Sequence, residues 1–235
     1  MLNSSLTTPP FSWDNISPEK QRLLEEHLRL ILQTNSHINL TRISSFEEGR
    51  LLHIEDSLAG LSEVLSAPSG LYADLGSGAG YPGIPLAVAA ERKVVLVDSV
   101  SKKMKALDSI IMELGISSQV TTYAGRIEEL SLEKREKFAV LTARALTSLP
   151  SLLELAAPLL RLSGRLICYK AQPSEEELCA AISLQEKLGM ILISDRKLLL
   201  SDGITARRIL VFEKQFQATL VLPRRVGMAQ KRPLA

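Results

Sequence analysis

From Leu71 onward, short apolar runs alternate with longer segments whose apolar positions fall three or four apart. The runs Leu71–Leu75, Val94–Asp98, Gln119–Tyr123, Phe138–Thr142, Arg165–Tyr169, Met190–Arg196 and Arg207–Glu213 have the length and character of strands. Helical spacing separates the first six: Ile84–Glu91, Lys102–Leu114, Glu128–Leu132, Leu149–Leu162 and Glu175–Leu188. The last two runs connect directly through Ser201-Asp202-Gly203, a hairpin signal. The pattern predicts an α/β fold: a doubly wound, seven-stranded, mostly parallel sheet whose last strand is antiparallel. A helical preface comes first. Ser17-Pro18 is an N-cap followed by Pro in the first turn, with an apolar stripe at Leu24, Leu28 and Ile31. Further helix is expected from Phe46 through Val64, and Pro68-Ser69-Gly70 marks a boundary. The chain thus divides into a helical extension (1–68), a ligand-binding domain (69–214) and a basic tail (215–235).

The first strand carries Asp74 and breaks into Gly76-Ser77-Gly78-Ala79-Gly80-Tyr81. Alternate glycines let the backbone approach a ligand closely and take up positive φ. The second strand ends in Asp98. A carboxylate closing the second strand of a βαβ unit is placed to bind the two hydroxyls of a ribose. A dinucleotide fingerprint would put its third glycine where Tyr81 stands, and no Lys-Ser/Thr follows the loop as a phosphate cradle requires. No Arg or Lys lies between Ala73 and Glu91 to meet a pyrophosphate. S-adenosylmethionine, an adenosine with a small zwitterionic tail, fits this loop better. A nicotinamide site, or a glycine turn with packing reasons only, remains open at this point.

Strands three and four end in Gly125-Arg126-Ile127-Glu128 and Thr142-Ala143-Arg144. Ligands of such sheets bind outside the carboxyl ends of the strands. Ile127 and Glu128 are therefore candidates to sandwich and hydrogen-bond an adenine. Arg144 is a candidate to meet a cofactor carboxylate or an RNA phosphate. Lys170, after strand five, reads equally well as structural.

Composition narrows the class. At 235 residues and 46% hydrophobic, the chain can bury one sizeable core. The segment from Met1 to Ser12 has neither a basic n-region nor an apolar h-region, and no stretch reaches membrane-spanning length. Two cysteines, Cys168 and Cys179, suggest a reducing compartment rather than a disulfide framework. These features predict a cytoplasmic protein. The net charge of +2 hides an asymmetry. Lys214, Arg224, Arg225, Lys231 and Arg232 carry five of the positive charges with no acid among them, which leaves −3 on residues 1–213. A basic tail on a mildly acidic body points to a polyanionic partner, with a solvated tail as the plainer alternative.

An ordered set of motifs then carries a family resemblance. His53-Ile54-Glu55-Asp56-Ser57, the Asp74–Leu86 loop, Val97-Asp98-Ser99 before Lys102-Lys103, Gly125-Arg126-Ile127-Glu128-Glu129, and Ala143-Arg144-Ala145 occur in this order. The ending is Pro223-Arg224-Arg225-Val226-Gly227 and Lys231-Arg232-Pro233-Leu234. Together they resemble the bacterial small-subunit rRNA guanine-N7 methyltransferase G family, also called glucose-inhibited division protein B, over nearly the whole chain from Asn39-Leu40-Thr41 on. The resemblance implies a Rossmann-like class I methyltransferase using S-adenosylmethionine on one guanine of small-subunit ribosomal RNA. It also implies that Gly76, Tyr81, Ile127, Glu128 and Arg144 contact the cofactor. One departure is plain: Lys170-Ala171 stands where the family usually has Lys-Gly.

The chemistry agrees with what is missing. Methylation of an exocyclic amine calls for an Asn/Asp-Pro-Pro-aromatic turn after strand four, and Thr142-Ala143-Arg144-Ala145 is not one. Methylation of a pyrimidine carbon calls for a cysteine nucleophile, and Cys168 reads as an interior strand position. Guanine N7 offers an in-plane lone pair with no proton to remove, so no general base is expected. The expected cofactor residues are Asp74, Gly76, Gly78, Gly80, Tyr81, Asp98, Ile127, Glu128 and Arg144. His53 and Arg144 are expected as positioning groups; His53 and Asp56, three apart on a helix, face one side. Arg126, Arg224, Arg225, Lys231 and Arg232 are expected to hold RNA, with Lys102 and Lys103 as substitutes should the tail dock on the body. No metal is expected, and the partner is small-subunit rRNA or an assembling 30S subunit, met by a monomer. A small-molecule or protein methyltransferase, or a non-catalytic RNA-binding module, are the competing readings.

Overall fold

The computed structural model describes residues 13–235. Residues 1–12, on which the absence of an export signal was argued, lie outside the described residues. Helix α1 (Pro18–Asn35) begins where the Ser17 hydroxyl accepts the Lys20 N–H, with Pro18 at its first position, and it buries Leu24, Leu28 and Ile31. The continuous helix expected over 46–64 is instead α2 (Phe46–Gly49), a π-helical turn (Arg50–Glu55), α3 (Asp56–Leu58) and α4 (Leu61–Ser66). Two contacts interrupt it that apolar spacing cannot register. The Tyr169 hydroxyl donates to Ser57 O (2.6 Å), and the same hydroxyl packs against Gly60 where a side chain would otherwise stand.

The strands are β1 (Leu71–Leu75), β2 (Val94–Asp98), β3 (Val120–Ala124), β4 (Phe138–Arg144), β5 (Leu160–Lys170), β6 (Met190–Leu199) and β7 (Ala206–Lys214). Between and after them come α5 (Gly83–Ala90), α6 (Ser101–Glu113), α7 (Ile127–Glu133), α8 (Leu149–Ala156), α9 (Glu175–Ser183), α10 (Gln185–Leu188) and α11 (Met228–Lys231). The sheet order is β3-β2-β1-β4-β5-β7-β6, with β7 antiparallel to both of its neighbours and every other pair parallel. The expected seven-stranded sheet with an antiparallel last strand is what forms. A second element differs from expectation: the helix expected over 149–162 ends at Ala156, and Leu160 already pairs with Phe138 in the sheet. Pro158 cannot donate the N–H that a continuing helix needs, and the apolar Leu159-Leu160 suits either structure.

Side chains alternate faces along each strand and divide the core in two. Tyr72, Val94, Leu96, Val140 and Ile167 pack toward α1, α4, α5 and α6. Ala73, Leu75, Val97, Leu141 and Leu166 pack toward α7, α8 and α9. The preface covers one face of the sheet and shares its core. The chain after β7 also joins a core, through buried Leu222 and Ala229.

Candidate active site

Order reverses at β1, which lies between β2 and β4, so a crevice opens at the carboxyl ends of these strands. The loop leaving β1 is pinned at once: Gly76 N–H and Ser77 N–H both donate to Val97 O (2.8 and 3.1 Å). Gly76 and Gly78 have φ of +71° and +55°, in the left-handed region where side chains are strained. Gly76 also leaves no room, since a Cβ there would come within 2.6 Å of Leu146. Gly78 has open space beside it, which a ligand can use.

Two acids end the adjacent strands, and they behave differently. Asp98 is partly exposed; its Oδ2 accepts the Gly78 N–H (3.1 Å) and its Oδ1 accepts the Val100 N–H (2.9 Å). A carboxylate can accept about four hydrogen bonds, so each oxygen keeps a site for a hydroxyl. Asp74 is fully buried. Its Oδ1 accepts from the Thr142 hydroxyl (2.7 Å) and its Oδ2 from the Gly83 N–H at the start of α5 (3.0 Å). Burial pushes its carboxyl up to about 7, against the two hydrogen bonds that favour ionisation. Asp74, expected at the cofactor, therefore lies inside the protein with both oxygens engaged. It clamps loop to helix from beneath, and Thr142, which the motif reading passed over, is its partner.

Beyond Asp98 a solvent-open cleft is lined by Gly76, Asp98, Gly125, Arg126, Ile127 and Glu128 among others. The Arg126 N–H donates to Glu129 at the start of α7 (2.9 Å), which turns Ile127 and Glu128 inward. Three residues outside every sequence motif complete the wall, Leu146, Leu155 and Gln230. The Gly227 N–H donates to Glu128 Oε1 (2.7 Å), so the chain end reaches this cleft from 99 residues away.

Tyr81, Arg144, His53 and Asp56 converge on the other side of the glycine loop. Asp56 Oδ2 takes Arg144 Nη1 (2.8 Å) and its Oδ1 takes Arg207 Nε (2.7 Å). Arg144 Nη1 also donates to Leu52 O (2.9 Å), an acceptor on the π-helical turn. Arg144 Nη2 donates to His53 Nδ1 (3.3 Å), which fixes the ring as the tautomer whose Nε2–H donates to Thr41 Oγ1 (2.7 Å). Burial, reinforced by Arg144, lowers the His53 ring to about 3, so it is neutral. His53 stacks on Tyr81 (4.3 Å, 6°), and the Arg144 guanidinium lies 5.7 Å from the Tyr81 ring centre. His27 closes the far side at 4.7 Å from Tyr81, donating through Nε2 to Ala79 O (3.2 Å). Arg144 is therefore anchored and not the free guanidinium expected at a mouth. The sequence placed His53 and Asp56 on one side, but Arg207 and Thr41 gave no signal.

Other expectations sort plainly. Gly80 backs onto Ile84 and His27, away from the cleft. Arg224, expected as an RNA contact, forms a two-point ion pair with buried Glu154 (2.7 and 2.6 Å), as the alternative of a docked tail required. Lys170 is structural, bonded to Glu177 and Thr147 O. Cys168 is buried and burial raises its thiol to about 12, no nucleophile. No group of three potential metal ligands occurs among the described residues.

A family model described as rRNA small subunit methyltransferase G matches residues 20–196. A ribosomal RNA small subunit methyltransferase G from Carboxydothermus hydrogenoformans is 36% identical over 224 residues, covering 94% of this chain and 94% of that one. The protein of the same name from Limosilactobacillus reuteri is 34% identical over 225 residues, with 93% of each chain covered. Among solved structures, a putative sarcosine dimethylglycine methyltransferase from Galdieria sulphuraria superimposes with a TM-score of 0.57 at 10% identity, covering 81% of this chain and 98% of that one. A geranyl diphosphate C-methyltransferase from Streptomyces coelicolor, solved with S-adenosyl-L-homocysteine, gives 0.50 at 13% identity over 66% of this chain and 76% of that one. These structures share the fold.

Proposed function

The chain belongs to the rRNA small subunit methyltransferase G family, and on that premise we propose that it transfers a methyl group from S-adenosylmethionine to N7 of one guanine in small-subunit (16S) ribosomal RNA. The observation that carries this reading is Asp98, held by two backbone N–H groups at the rim of the cleft with acceptor sites left for a ribose. The residues present fit the cofactor. Ile127 and Glu128 would receive the adenine, and the backbone at Gly76 and Gly78 would lie against the ligand. Ser77 Oγ and the Tyr81 hydroxyl are buried without a hydrogen-bond partner among the described residues, at the loop where an amino-acid tail would supply one. Arg144, with Tyr81 beneath it, would face that tail's carboxylate.

Bound there, S-adenosylmethionine supplies a methyl group on an electrophilic sulfonium. The protein's part is alignment. Guanine N7 presents a lone pair and loses no proton, so the site needs no base; the two imidazoles beside Tyr81, His53 and His27, are both neutral, and both ring nitrogens of His53 are engaged. Positioning of this kind can supply up to about 7–11 kcal/mol. N7 faces a deep, narrow groove in paired RNA, so the target is an unpaired or extruded guanine. No helix among the described residues is long and apolar enough to cross a membrane. We place the reaction in the cytoplasm, carried out by a monomer on rRNA or an assembling subunit. Methylated rRNA should break at a single guanine after borohydride and aniline treatment, the signature of an N7-methylated base. A methyl group on N2, a ribose or a pyrimidine would refute the base-free mechanism.

A further inference from the structure

The chain after β7 is a strap and not a free tail. Arg135 donates to Leu222 O (2.7 Å), the Ser151 hydroxyl to Ala229 O (2.6 Å), and Arg224 to Arg232 O (2.8 Å). The two-point Arg224–Glu154 ion pair is the strongest of these ties, because the Glu154 side chain is only 3% exposed. The strap's inner side reaches the cofactor cleft through Gly227 on Glu128 and through Gln230 in its wall. Arg225, Lys231 and Arg232 are exposed, and among the described residues none has an acid within ion-pair distance. Arg126, also exposed, lines the same cleft. A buried ion pair thus anchors a strap that carries three uncompensated cations and whose inner side lines the cofactor cleft. The ligand that matches is a nucleic-acid backbone, which carries one phosphate per nucleotide on either side of that base.

Building on the rRNA reading above, we propose that Arg225, Lys231 and Arg232, together with Arg126, grip RNA phosphates flanking the target guanine, and that the Glu154–Arg224 pair is the latch that positions them. Lys102 and Lys103 are then not needed as the main contacts.

The test uses the full chain and 16S rRNA from a strain lacking this gene, with binding followed from 50 to 300 mM KCl. Replacing Arg225, Lys231 and Arg232 together by Gln should leave melting temperature and S-adenosylmethionine affinity unchanged. It should lower the slope of log K against log salt by about 2–3, at roughly 0.7–0.9 per lost contact. Glu154→Gln keeps all three cations and should raise KM for RNA while sparing kcat. Arg224→Lys, which keeps the charge and loses the two-point geometry, replaces it if Glu154→Gln does not fold. An unchanged salt slope in the triple variant overturns the phosphate grip. Lowered stability with an unchanged KM for RNA in the latch variants reduces the pair to a structural tie. If the wild-type protein neither binds nor methylates the RNA, the functional reading itself fails, a distinct result.

Discussion

On one side of the glycine loop, Asp56, Arg144, Arg207 and His53 hold one another in a nearly dry cluster, with Asp56 4% and Arg144 14% exposed in their side chains. On the other side, Asp98 and Glu128 border an open cleft, and Asp98 has acceptor sites to spare. The same residue types meet two different fates. In the cluster one carboxylate ties two guanidinium groups together inside the protein, so its loss is felt as stability. In the cleft the balance is left for a ligand, so its loss is felt as binding. The adjacent strand ends repeat the lesson, with Asp74 inside and Asp98 outside.

Removing Asp56 should have the largest effect. Asp56→Ala leaves two partly buried guanidinium groups without their carboxylate and should destabilise the fold by up to about 3–5 kcal/mol in denaturant titrations. A loss near zero would show that the cluster is not a unit and would erase the contrast.

Next comes Asp74, through pH. Its folded pKa of about 7 lies above the unfolded value, so the fold favours the protonated form. Its stabilising contribution is full below about pH 4, declines as pH rises toward 7 and is lost above that. Asp74→Asn, uncharged throughout, should remove this decline and gain on the wild type by on the order of a few kcal/mol between pH 4 and 7. Parallel stability curves for the two proteins would contradict the assignment of Asp74 to the interior.

Gly78→Val probes the border between the regions. A β-branched residue at φ +55° is strained by about 1–3 kcal/mol, although the protein itself leaves open space there. The account predicts a further loss of cofactor affinity, because the new side chain occupies ligand space. Calorimetry showing normal affinity in the folded variant would remove the loop from the site. The smallest effect belongs to His53. Held neutral with a pKa of about 3, it should add no inflection to the methylation rate between pH 5.5 and 8.5. An inflection near 6.5 that vanishes in His53→Asn would make it an acid or base after all.

The open region was far more legible in the sequence than the closed one. Gly76, Asp98, Ile127 and Glu128 sit at turns and strand ends, where glycine spacing and period-two alternation declare themselves locally. The closed cluster joins Arg144 to Asp56 across 88 residues and Arg207 to Asp56 across 151, and no local pattern encodes such pairs. The break between Leu58 and Leu61 was hidden for the same reason, since it rests on Tyr169 more than 100 residues away. The basic ending was visible as charge, but its docking depends on Glu154, which reads in sequence only as one acid in an apolar helix.

The division between a cleft open to a ligand and a cluster bonded to itself rests most directly on Asp98. Titrating S-adenosylmethionine into Asp98→Ala, with folding verified by thermal melting, should show affinity weaker by about 1–3 kcal/mol, because two ribose hydroxyls lose a charged acceptor. Wild-type affinity in the folded variant would contradict the account, since the nucleoside would then bind somewhere other than this cleft.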